Sequence, residues 1–441
     1  MDGAGTERLA TAKRLVVNEV GARGEQLIAA SHAIFDRPEL AFEERFAAEL
    51  LCTALEGAGL AVERGAYGLE TAFRARAGRG APVVALLCEY DALPGIGHAC
   101  GHNLIAAMSL GAALAAVRLL AELDGAPSGD PRQAEGRETG ARPGRAATGD
   151  CVAAAPTPAP GTLLVLGTPA EEDGGGKVLL AEAGAFDGVD AAMMLHPADS
   201  ETLDQPTLAI SSFTASYTGV AAHASSFPWQ GRNALDAAVL GYNAIAALRQ
   251  HIEPTERVHG IFREAGDKPN IVPARAVAEW WVRSGNSSGL RALDERVLAC
   301  LRAGADATGC GVEIATSCPD YFEMWSNDAL VELFARNATA LGRRPVRAGV
   351  VASSGSTDMG NVSHLVPSIH PRIAVAPPGV GIHSAEFARW ARRPAGDRAV
   401  LDGASALAMT VADLWLDPGT AGPVRSSFEE RLAQAASVRT P

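Results

Sequence analysis

The sequence predicts an α/β fold in which a mixed sheet flanked by helices is interrupted by a smaller α+β unit. Three observations carry this prediction. The chain has 441 residues, which is more than one ordinary hydrophobic core accommodates. Short apolar runs alternate with helical periodicities toward both ends of the chain. Between residues 206 and 318 the order changes to strand, helix, strand, strand, helix, strand, which is typical of a ferredoxin-like unit.

The first part of the chain combines helices with buried strands. Apolar residues recur at helical spacing between residues 7 and 57, and Pro38 separates two helical segments. The predicted elements that follow are strands over 71–75 and 83–87, a buried helix over 104–123, a strand over 162–167, a helix over 177–183 and a strand over 191–195. Residues 124–160 are rich in Gly, Pro, Ala and scattered Arg, and we expect them to form a poorly ordered surface insertion.

The middle and last parts are predicted in the same way. In the middle segment we expect a strand over 208–220, a helix over 233–251, strands over 258–262 and 276–283, a helix over 288–308 and a strand over 311–316. The last part shows a helix over 328–341, a Ser/Gly loop over 353–360, a strand over 373–376 and a closing helix over 399–416. We therefore divide the chain into a first outer part (1–205), an inserted domain (206–318) and a second outer part (319–441).

Composition and charge restrict the classes of function. The formal charge is -13 and no basic surface is apparent in the sequence, which disfavours binding to nucleic acid. No uninterrupted apolar segment reaches the roughly 18 residues that a membrane helix needs, so we expect a soluble protein without a membrane span. The seven cysteines show no disulfide framework, and the N-terminus lacks the apolar core of a signal peptide. Both observations favour a cytoplasmic location.

The stretch CEYDALPGIGHACGHN, residues 88–103, is the richest in chemistry. It follows a predicted strand and places Cys100 and His102 two positions apart in a loop with glycines. Thiolate and imidazole suit zinc, and also manganese or cobalt when carboxylates join them. A Cys-x-His pair in a loop is often incidental, so the pair alone does not establish a metal site.

Three further features lie at the ends of predicted strands or in glycine-rich loops. Glu171 and Glu172 follow the strand over 162–167, where one glutamate could bind a metal while the other holds the attacking water; a solvated acidic loop is the alternative. His196 closes an apolar strand and His383 lies in a Gly-rich loop, and each is either a ligand or a hydrogen-bonded core histidine. Together these features provide the ligands, the carboxylate base and the open position of a two-metal hydrolytic site.

With these residues in place, the chain resembles the M20 family of metallopeptidases and amidohydrolases. The motifs that carry the resemblance are FDRPELAFEE, EYDALPGIGHACGHN, GTPAEEDGGGK, MMLHP, GVAAHASSFPWQGRNALDA, KPNIVP, SSGSTDMGNVS and GIHSAEF. They span nearly the whole chain except residues 124–160. The branch that the chain resembles most has cysteine as a bridging metal ligand, and it includes aminobenzoyl-glutamate hydrolase subunits and Xaa-Arg or β-alanyl-lysine dipeptidases. The resemblance implies a zinc-peptidase-like catalytic domain whose inserted domain serves as lid and dimerisation unit.

The resemblance also implies a role for each matching position. Cys100 would bridge two divalent ions, Zn2+ or Mn2+. The remaining protein ligands would be His102, Glu172, His196 and His383. Glu171 would be the general base, and Asp91 would orient a ligand from behind the metal site. Asn103 stands where related hydrolases of auxin conjugates and hippurate have Asp, which favours the dipeptidase-like subgroup.

Three residues of the inserted domain match positions that contact substrate in the family. His223 would cross a homodimer interface and donate to the scissile carbonyl oxygen in the partner's site; the alternative is an exposed histidine on a strand edge. Asn270 and Arg283 match lid positions. Arg283 would receive a substrate carboxylate through a bidentate pair, with an ordinary surface arginine as the alternative.

The function expected from these residues is hydrolysis of an amide or peptide bond by metal-activated water. Glu171 would take a proton from the water and return it to the leaving amine. We expect a dipeptidase that acts on Xaa-Arg, Xaa-Lys or aminobenzoyl-glutamate-like substrates. The alternatives are an N-acyl-amino-acid deacylase with an aromatic or lipid acyl group, and a catalytically silent binding protein on the same fold.

Overall fold

The computed structural model describes residues 2–124, 160–349 and 355–438. The predicted insertion at 124–160 therefore lies outside the described residues except for its two end positions, and so does part of the predicted Ser/Gly loop. The helices are α1 (Gly3–Ala22), α2 (Gly24–Asp36), α3 (Arg45–Gly57), α4 (His102–Leu123), α5 (Gly176–Glu182), α6 (Ala234–Leu248), α7 (Ser287–Thr308), α8 (Asp328–Ala340), α9 (Met359–Ser363), α10 (Ala385–Ala391), α11 (Pro394–Leu416) and α12 (Ala421–Val438). The strands are β1 (Ala61–Arg64), β2 (Phe73–Gly78), β3 (Val83–Cys88), β4 (Thr162–Gly167), β5 (Ala191–Met193), β6 (His196–Ala198), β7 (Ala209–Thr218), β8 (Arg257–Glu264), β9 (Arg275–Ser284), β10 (Gly311–Thr316), β11 (Ser368–Ile369) and β12 (Arg372–Ala374).

The larger sheet has six strands in the order β1-β2-β4-β3-β5-β11 and is mixed, as the sequence predicts. The strands β4, β3, β5 and β11 are parallel neighbours, whereas β1 and β2 run antiparallel at one edge. β3 pairs with β4 up to Cys88 opposite Gly167, so the two strands end level. The loops that begin at Glu89 and Thr168 therefore leave the sheet at the same edge, where sites collect in α/β folds.

Helices α4 and α11 form the centre of the larger hydrophobic core. Each is long and apolar enough to cross a membrane by length and composition, but 83% of the apolar window in each is buried inside the protein. α4 packs against α11, α1 and α2. Burial on all sides accounts for the apolar character of α4. The buried helix predicted over 104–123 is confirmed, and it begins two residues earlier, at His102.

The smaller sheet has four antiparallel strands in the order β10-β7-β9-β8, and α6 and α7 pack against it. This strand order and the βαββαβ sequence of elements confirm the predicted ferredoxin-like unit. The unit has a hydrophobic core of its own, which includes Tyr217, Trp280 and Leu301. The domain boundaries at 206 and 318 stay a prediction.

The prediction of one strand over 191–195 is wrong. β5 ends at Met193, and a second strand, β6, begins at His196 and pairs with β12 in a separate two-stranded sheet. Pro371 lies between β11 and β12 and has no N–H group to donate to a strand ladder. It therefore separates the strand that pairs with β5 from the strand that pairs with β6. The short elements β1 and β11 and the mostly exposed α12 lie outside the prediction, since they carry little hydrophobic periodicity.

Gly304 permits the close contact between α7 and α6, and its replacement tests that packing. A Cβ atom at Gly304 would lie 2.2 Å from the backbone oxygen of Ala237 in α6, and a packed backbone cannot move aside as a flexible side chain can. We expect Gly304→Ala to lower the free energy of unfolding by about 1–3 kcal/mol, measured by urea denaturation. Gly21→Ala in α1 is the control, because a Cβ atom there meets nothing within 4 Å. Equal stability of the two variants would contradict the packing.

Candidate metal centre

The site lies at the edge of the larger sheet where β3 and β4 end. Gly101 has a φ of 82°, a conformation that residues with a side chain rarely adopt, and a Cβ atom there would lie 2.6 Å from Cγ of Pro197. Gly101 therefore lets the chain turn tightly against the segment that contains His196. Cys100 lies on one side of this turn, and His102 on the other begins α4.

His102 is fully buried, and Asp91 fixes its orientation. The Nδ1 atom of His102 lies 2.8 Å from Oδ1 of Asp91, and because a carboxylate accepts, this nitrogen carries the proton. Its Nε2 atom has no hydrogen-bond partner among the described residues. Carboxylate oxygens lie 3.7, 3.9 and 3.8 Å from Nε2, on Glu89, Glu171 and Glu172. A buried nitrogen without a partner that faces carboxylates at this separation fits a metal ligand oriented by a second carboxylate.

Cys100 and His196 form a second pair of donors. The Nδ1 atom of His196 donates to the backbone oxygen of Pro197 at 2.7 Å, so Nε2 offers its lone pair. That Nε2 atom lies 3.4 Å from Sγ of Cys100. Burial lowers the pKa of His196 well below its ordinary value, and His370 adds to the effect. The imidazole is therefore neutral, as a metal ligand must be.

Glu172 and His383 complete the set of predicted ligands. The backbone N of His383 donates to the backbone oxygen of Ala99 at 2.9 Å, which holds the His383 loop against the Cys100 loop. The Nε2 atom of His383 lies 3.2 Å from Oε1 of Glu172, and the proximity of this carboxylate raises the pKa of His383. The His383 side chain is 48% exposed, so this side of the centre is open to solvent.

The donor atoms fall into overlapping groups of three in which all atoms lie within 4.8 Å of one another. Three of these groups are Cys100, His102 and His196; Cys100, Glu172 and His383; and His102, Glu171 and Glu172. Cys100 belongs to two groups, which suits a bridging ligand. Burial raises the pKa of its thiol well above the ordinary value, so a bound cation is needed to hold it as a thiolate. Sulfur, imidazole and carboxylate donors in this number and spacing fit divalent ions such as Zn2+.

Glu171 lies beside these donors with its backbone fixed. Its carbonyl oxygen accepts a hydrogen bond from the hydroxyl of Tyr321 at 2.8 Å. Burial raises the pKa of the Glu171 carboxyl well above its ordinary value, and the charges of Glu89 and Glu172 add to this effect. A carboxylate with a raised pKa can accept a proton and hold it near neutral pH, which is what a general base requires.

A buried ion cluster behind Glu171 was missed by the sequence reasoning. The ammonium of Lys177 forms ion pairs with Glu89 and with Asp358, the latter at 2.7 Å, and all three side chains are fully buried. Each residue lies inside one of the motifs EYDALP, GGGK and STDMG. The signal that could have found this cluster is Lys177 in the motif GTPAEEDGGGK, since nearly all other basic residues of the chain are arginines.

His223, Asn270 and Arg283 belong to the ferredoxin-like unit and do not join the donor cluster. His223 pairs with Ile271 across an isolated bridge, and Asn270 precedes Ile271 on the same turn. Within the described residues, no hydrogen bond or ion pair joins His223 or Asn270 to the cluster. Arg283 approaches it more closely, since its guanidinium donates to Oγ of Ser356 at 2.8 Å, in the loop before α9.

The chain matches the model of Peptidase family M20/M25/M40 over residues 146–396, which is more than half of its length. It is 38% identical over 441 residues to the Xaa-Arg dipeptidase of Mus musculus, and the match covers 97% of this chain and 94% of that protein. It is 29% identical over 463 residues to a p-aminobenzoyl-glutamate hydrolase subunit of Escherichia coli, with 88% of each chain covered.

Solved structures share the fold. The aminobenzoyl-glutamate utilization protein of Klebsiella pneumoniae has a TM-score of 0.66 at 18% identity, over 90% of this chain and 97% of that chain. A dinuclear metal-binding peptidase of Bacillus subtilis has a TM-score of 0.62 at 20% identity, over 89% of this chain and 99% of that chain. At these identities the likeness shows the fold alone. The family match and the mouse relative show that the chain belongs to peptidase family M20/M25/M40 and is a hydrolase of peptide or amide bonds.

Proposed function

We propose that this hydrolase is a metal-dependent dipeptidase that acts on Xaa-Arg, Xaa-Lys or aminobenzoyl-glutamate-like substrates. The observation that carries the proposal is a cluster of five metal-binding side chains beside Glu171, namely Cys100, His102, Glu172, His196 and His383. The 38% identity to a Xaa-Arg dipeptidase over nearly the whole chain supports a basic residue in the substrate. The net charge of -13 favours cationic ligands over anionic ones.

An N-acyl-amino-acid deacylase is the second candidate. It would use the same centre with a different pocket, one that accepts an aromatic or lipid acyl group. A catalytically silent binding protein is disfavoured, because every candidate ligand and Glu171 are present and close together.

The donor cluster would hold two divalent ions, Zn2+ or Mn2+, with Cys100 between them. When bound, these ions supply Lewis-acid polarisation of the scissile carbonyl and a lowered pKa for the attacking water. Asp91 directs Nε2 of His102 toward the centre through one carboxylate oxygen. Its other oxygen accepts a hydrogen bond from the backbone N of Glu172 at 3.0 Å, which fixes a second ligand.

Glu171 is the general base of this proposal. Its carboxylate takes a proton from the attacking water and returns the proton to the leaving amine. Burial raises its pKa, which stabilises the protonated form that must persist between the two transfers. The hydrogen bond from Tyr321 holds the Glu171 backbone in place while the side chain exchanges the proton.

The inserted domain, residues 206–318, would act as a lid and join two copies of the chain. Nδ1 of His223 accepts the backbone N–H of Ser226 at 3.3 Å, so Nε2 carries the proton and can donate to the carbonyl oxygen of a substrate. Within the described residues, no hydrogen bond or ion pair joins His223 to the centre of its own chain, which supports action in a partner's site. Exposed apolar side chains on α6 and the edge strand β8 offer a surface for a second copy, namely Val239, Leu240, Ile261 and Phe262.

Arg283 would receive the carboxylate of the substrate. It is half-buried, and burial lowers its pKa, but no acidic side chain pairs with it in the part of the chain that the structure describes. One of its five N–H groups donates a hydrogen bond to Oγ of Ser356. The guanidinium has further N–H groups with which it could bind a carboxylate through two parallel hydrogen bonds. Asn270 lies on the same unit and would reach the substrate when the lid closes.

We also propose a cytoplasmic location. The described cysteines are free thiols, namely Cys52, Cys88, Cys100, Cys300, Cys310 and Cys318. Cys100 must stay reduced to bind a metal, and the thiol pool of the cytosol maintains that state.

Substrate choice tests the proposed function directly. Wild-type protein loaded with Zn2+ or Mn2+ is assayed with β-alanyl-lysine, an Xaa-Arg dipeptide, p-aminobenzoyl-glutamate and N-acyl amino acids, with β-alanyl-norleucine as the neutral control. We expect kcat/KM to be about 10-fold or more higher for the basic dipeptides than for the neutral control, because a charged hydrogen bond contributes about 1.5–3 kcal/mol. Preference for N-acyl amino acids would support the deacylase instead. Absence of hydrolysis in the whole panel would refute both candidates.

Glu171→Gln tests the general base. We expect kcat to fall by about 100-fold to 10,000-fold, since glutamine cannot accept the proton. Metal content, measured by mass spectrometry, should stay at the wild-type level, because the proposed ligands are unchanged. Glu172→Gln is the matched contrast and should lose metal as well as turnover. Substantial turnover in Glu171→Gln would exclude Glu171 as the base.

Hybrid dimers test whether His223 acts in the partner's site. We expect neither His223→Ala nor Glu171→Gln to be active alone, whereas a dimer of one with the other would contain one site with both Glu171 and His223 intact. In a symmetric dimer we therefore expect a purified hybrid to show about half of the wild-type kcat per dimer. A verified hybrid without activity would show that His223 does not act in trans.

A further inference from the structure

A group of buried charged side chains outside the proposed ligands surrounds Lys177. Its ammonium is fully buried and contacts the carboxylates of Glu89 and Asp358, the latter at 2.7 Å. The backbone N of Lys177 donates to the second oxygen of Asp358 at 2.8 Å. Asp358 therefore binds both the main chain and the side chain of Lys177, which fixes the beginning of α5 against the loop before α9.

Glu171 shares this charged group. One oxygen each of Glu89, Glu171 and Asp358 lies within 4.8 Å of the others, a spacing that in a metalloprotein could hold a cation. The ammonium of Lys177 pairs with two of these three carboxylates, Glu89 and Asp358, and its charge lies next to the third, Glu171, without a direct ion pair among the described residues. Three carboxylates this close repel one another in a buried site, so a positive charge among them determines where each one rests.

The choice of lysine is itself informative. The chain has 38 basic residues, and only Lys13, Lys177 and Lys268 among them are lysines. A guanidinium is planar and broad, whereas an ammonium is a compact charge with three donors that can point at separate carboxylates. In a chain that has arginine almost everywhere else, the buried position between Glu89 and Asp358, beside Glu171, holds the compact cation.

We propose that Lys177 is a positioning residue for Glu171. Its ammonium holds Glu89 and Asp358 and offsets their negative charge, and so allows the Glu171 carboxylate to lie close to both of them beside the proposed metal centre. This inference rests on the proposed function of Glu171 as general base. It assigns no contact between Lys177 and the substrate.

Lys177→Met removes the ammonium and keeps a side chain of similar length. We expect kcat to fall by about 100-fold, because displacement of a catalytic group by about 1 Å has an effect of that size. KM should stay near the wild-type value, and so should the metal content, since the proposed ligands are unchanged. A crystal structure of the metal-free variant should show the Glu171 carboxylate displaced. Wild-type kcat with Glu171 in place would overturn the proposal.

Lys13→Met is the control for loss of a lysine ion pair away from the site, where the lysine is partly buried. The ammonium of Lys13 lies 2.7 Å from Oδ1 of Asp413, and this pair joins α1 to α11 away from the site. We expect Lys13→Met to lower the thermal unfolding midpoint without a change in kcat or KM. An equal loss of kcat in both variants would show a general effect of instability and overturn the positioning role.

A triple variant combines Lys177→Met with Glu89→Gln and Asp358→Asn. It separates a positioning role of Lys177 from simple charge balance, and it replaces the single variant if that one does not fold. Removal of all three charges should restore the midpoint of the metal-free protein toward the wild-type value. We expect its kcat to stay low, and full recovery of kcat would mean that Lys177 only balances charge. If wild-type protein hydrolyses no substrate, the proposed function fails, whereas the position of Glu171 in the variant structures still decides this inference.

Discussion

One buried carboxylate holds the two halves of the centre together. Asp91 accepts from Nδ1 of His102 through one oxygen and from the backbone N of Glu172 through the other. It therefore ties the first turn of α4 to the loop after β4. Burial alone would raise the pKa of Asp91, but the charge and hydrogen bond of His102 and the N–H of Glu172 outweigh burial and lower it. An ionised Asp91 accepts at Nδ1 of His102 and so leaves Nε2 of that ring to face the carboxylates of Glu171 and Glu172.

The charges around Asp91 indicate why the site suits two divalent ions. Five carboxylates and a thiol lie close together there with a single lysine among them, and the carboxylates belong to Glu89, Asp91, Glu171, Glu172 and Asp358. A buried surplus of negative charge is strongly unfavourable unless cations or protons balance it. The positive charge of Lys177 offsets the negative charge of Glu89 and Asp358. The surplus that remains faces Nε2 of His102, where bound divalent cations would neutralise most of it.

The sequence predicts the parts of the site that depend on local pattern. The strands over 83–87 and 162–167 agree with β3 and β4 to within one residue, because continuous apolar runs mark buried parallel strands. Contacts between residues that are far apart in the sequence leave no such pattern. Lys177, for example, donates a hydrogen bond to Asp358, which is 181 residues away in the sequence. Asn103 shows a related limit, since its side-chain amide donates to Oγ of Ser31 at 2.9 Å and so faces α2. Its position supports helix packing and gives no support to a role in substrate choice.

The loop before α9 connects the proposed substrate contact with the proposed base. Arg283 of the ferredoxin-like unit donates to Ser356 in this loop, and two residues later Asp358 binds Lys177. A carboxylate that bound Arg283 would therefore meet the guanidinium only two residues from the ion cluster around Glu171. Arg283 and the backbone N of Leu208, both within residues 206–318, donate to this loop at Ser356 and Gly355. Movement of these residues would therefore act on the same short segment that holds Asp358. Closure of the inserted domain as a lid, as proposed, would thereby have a physical route to the proposed base that needs no direct contact between the lid and the proposed metal ligands.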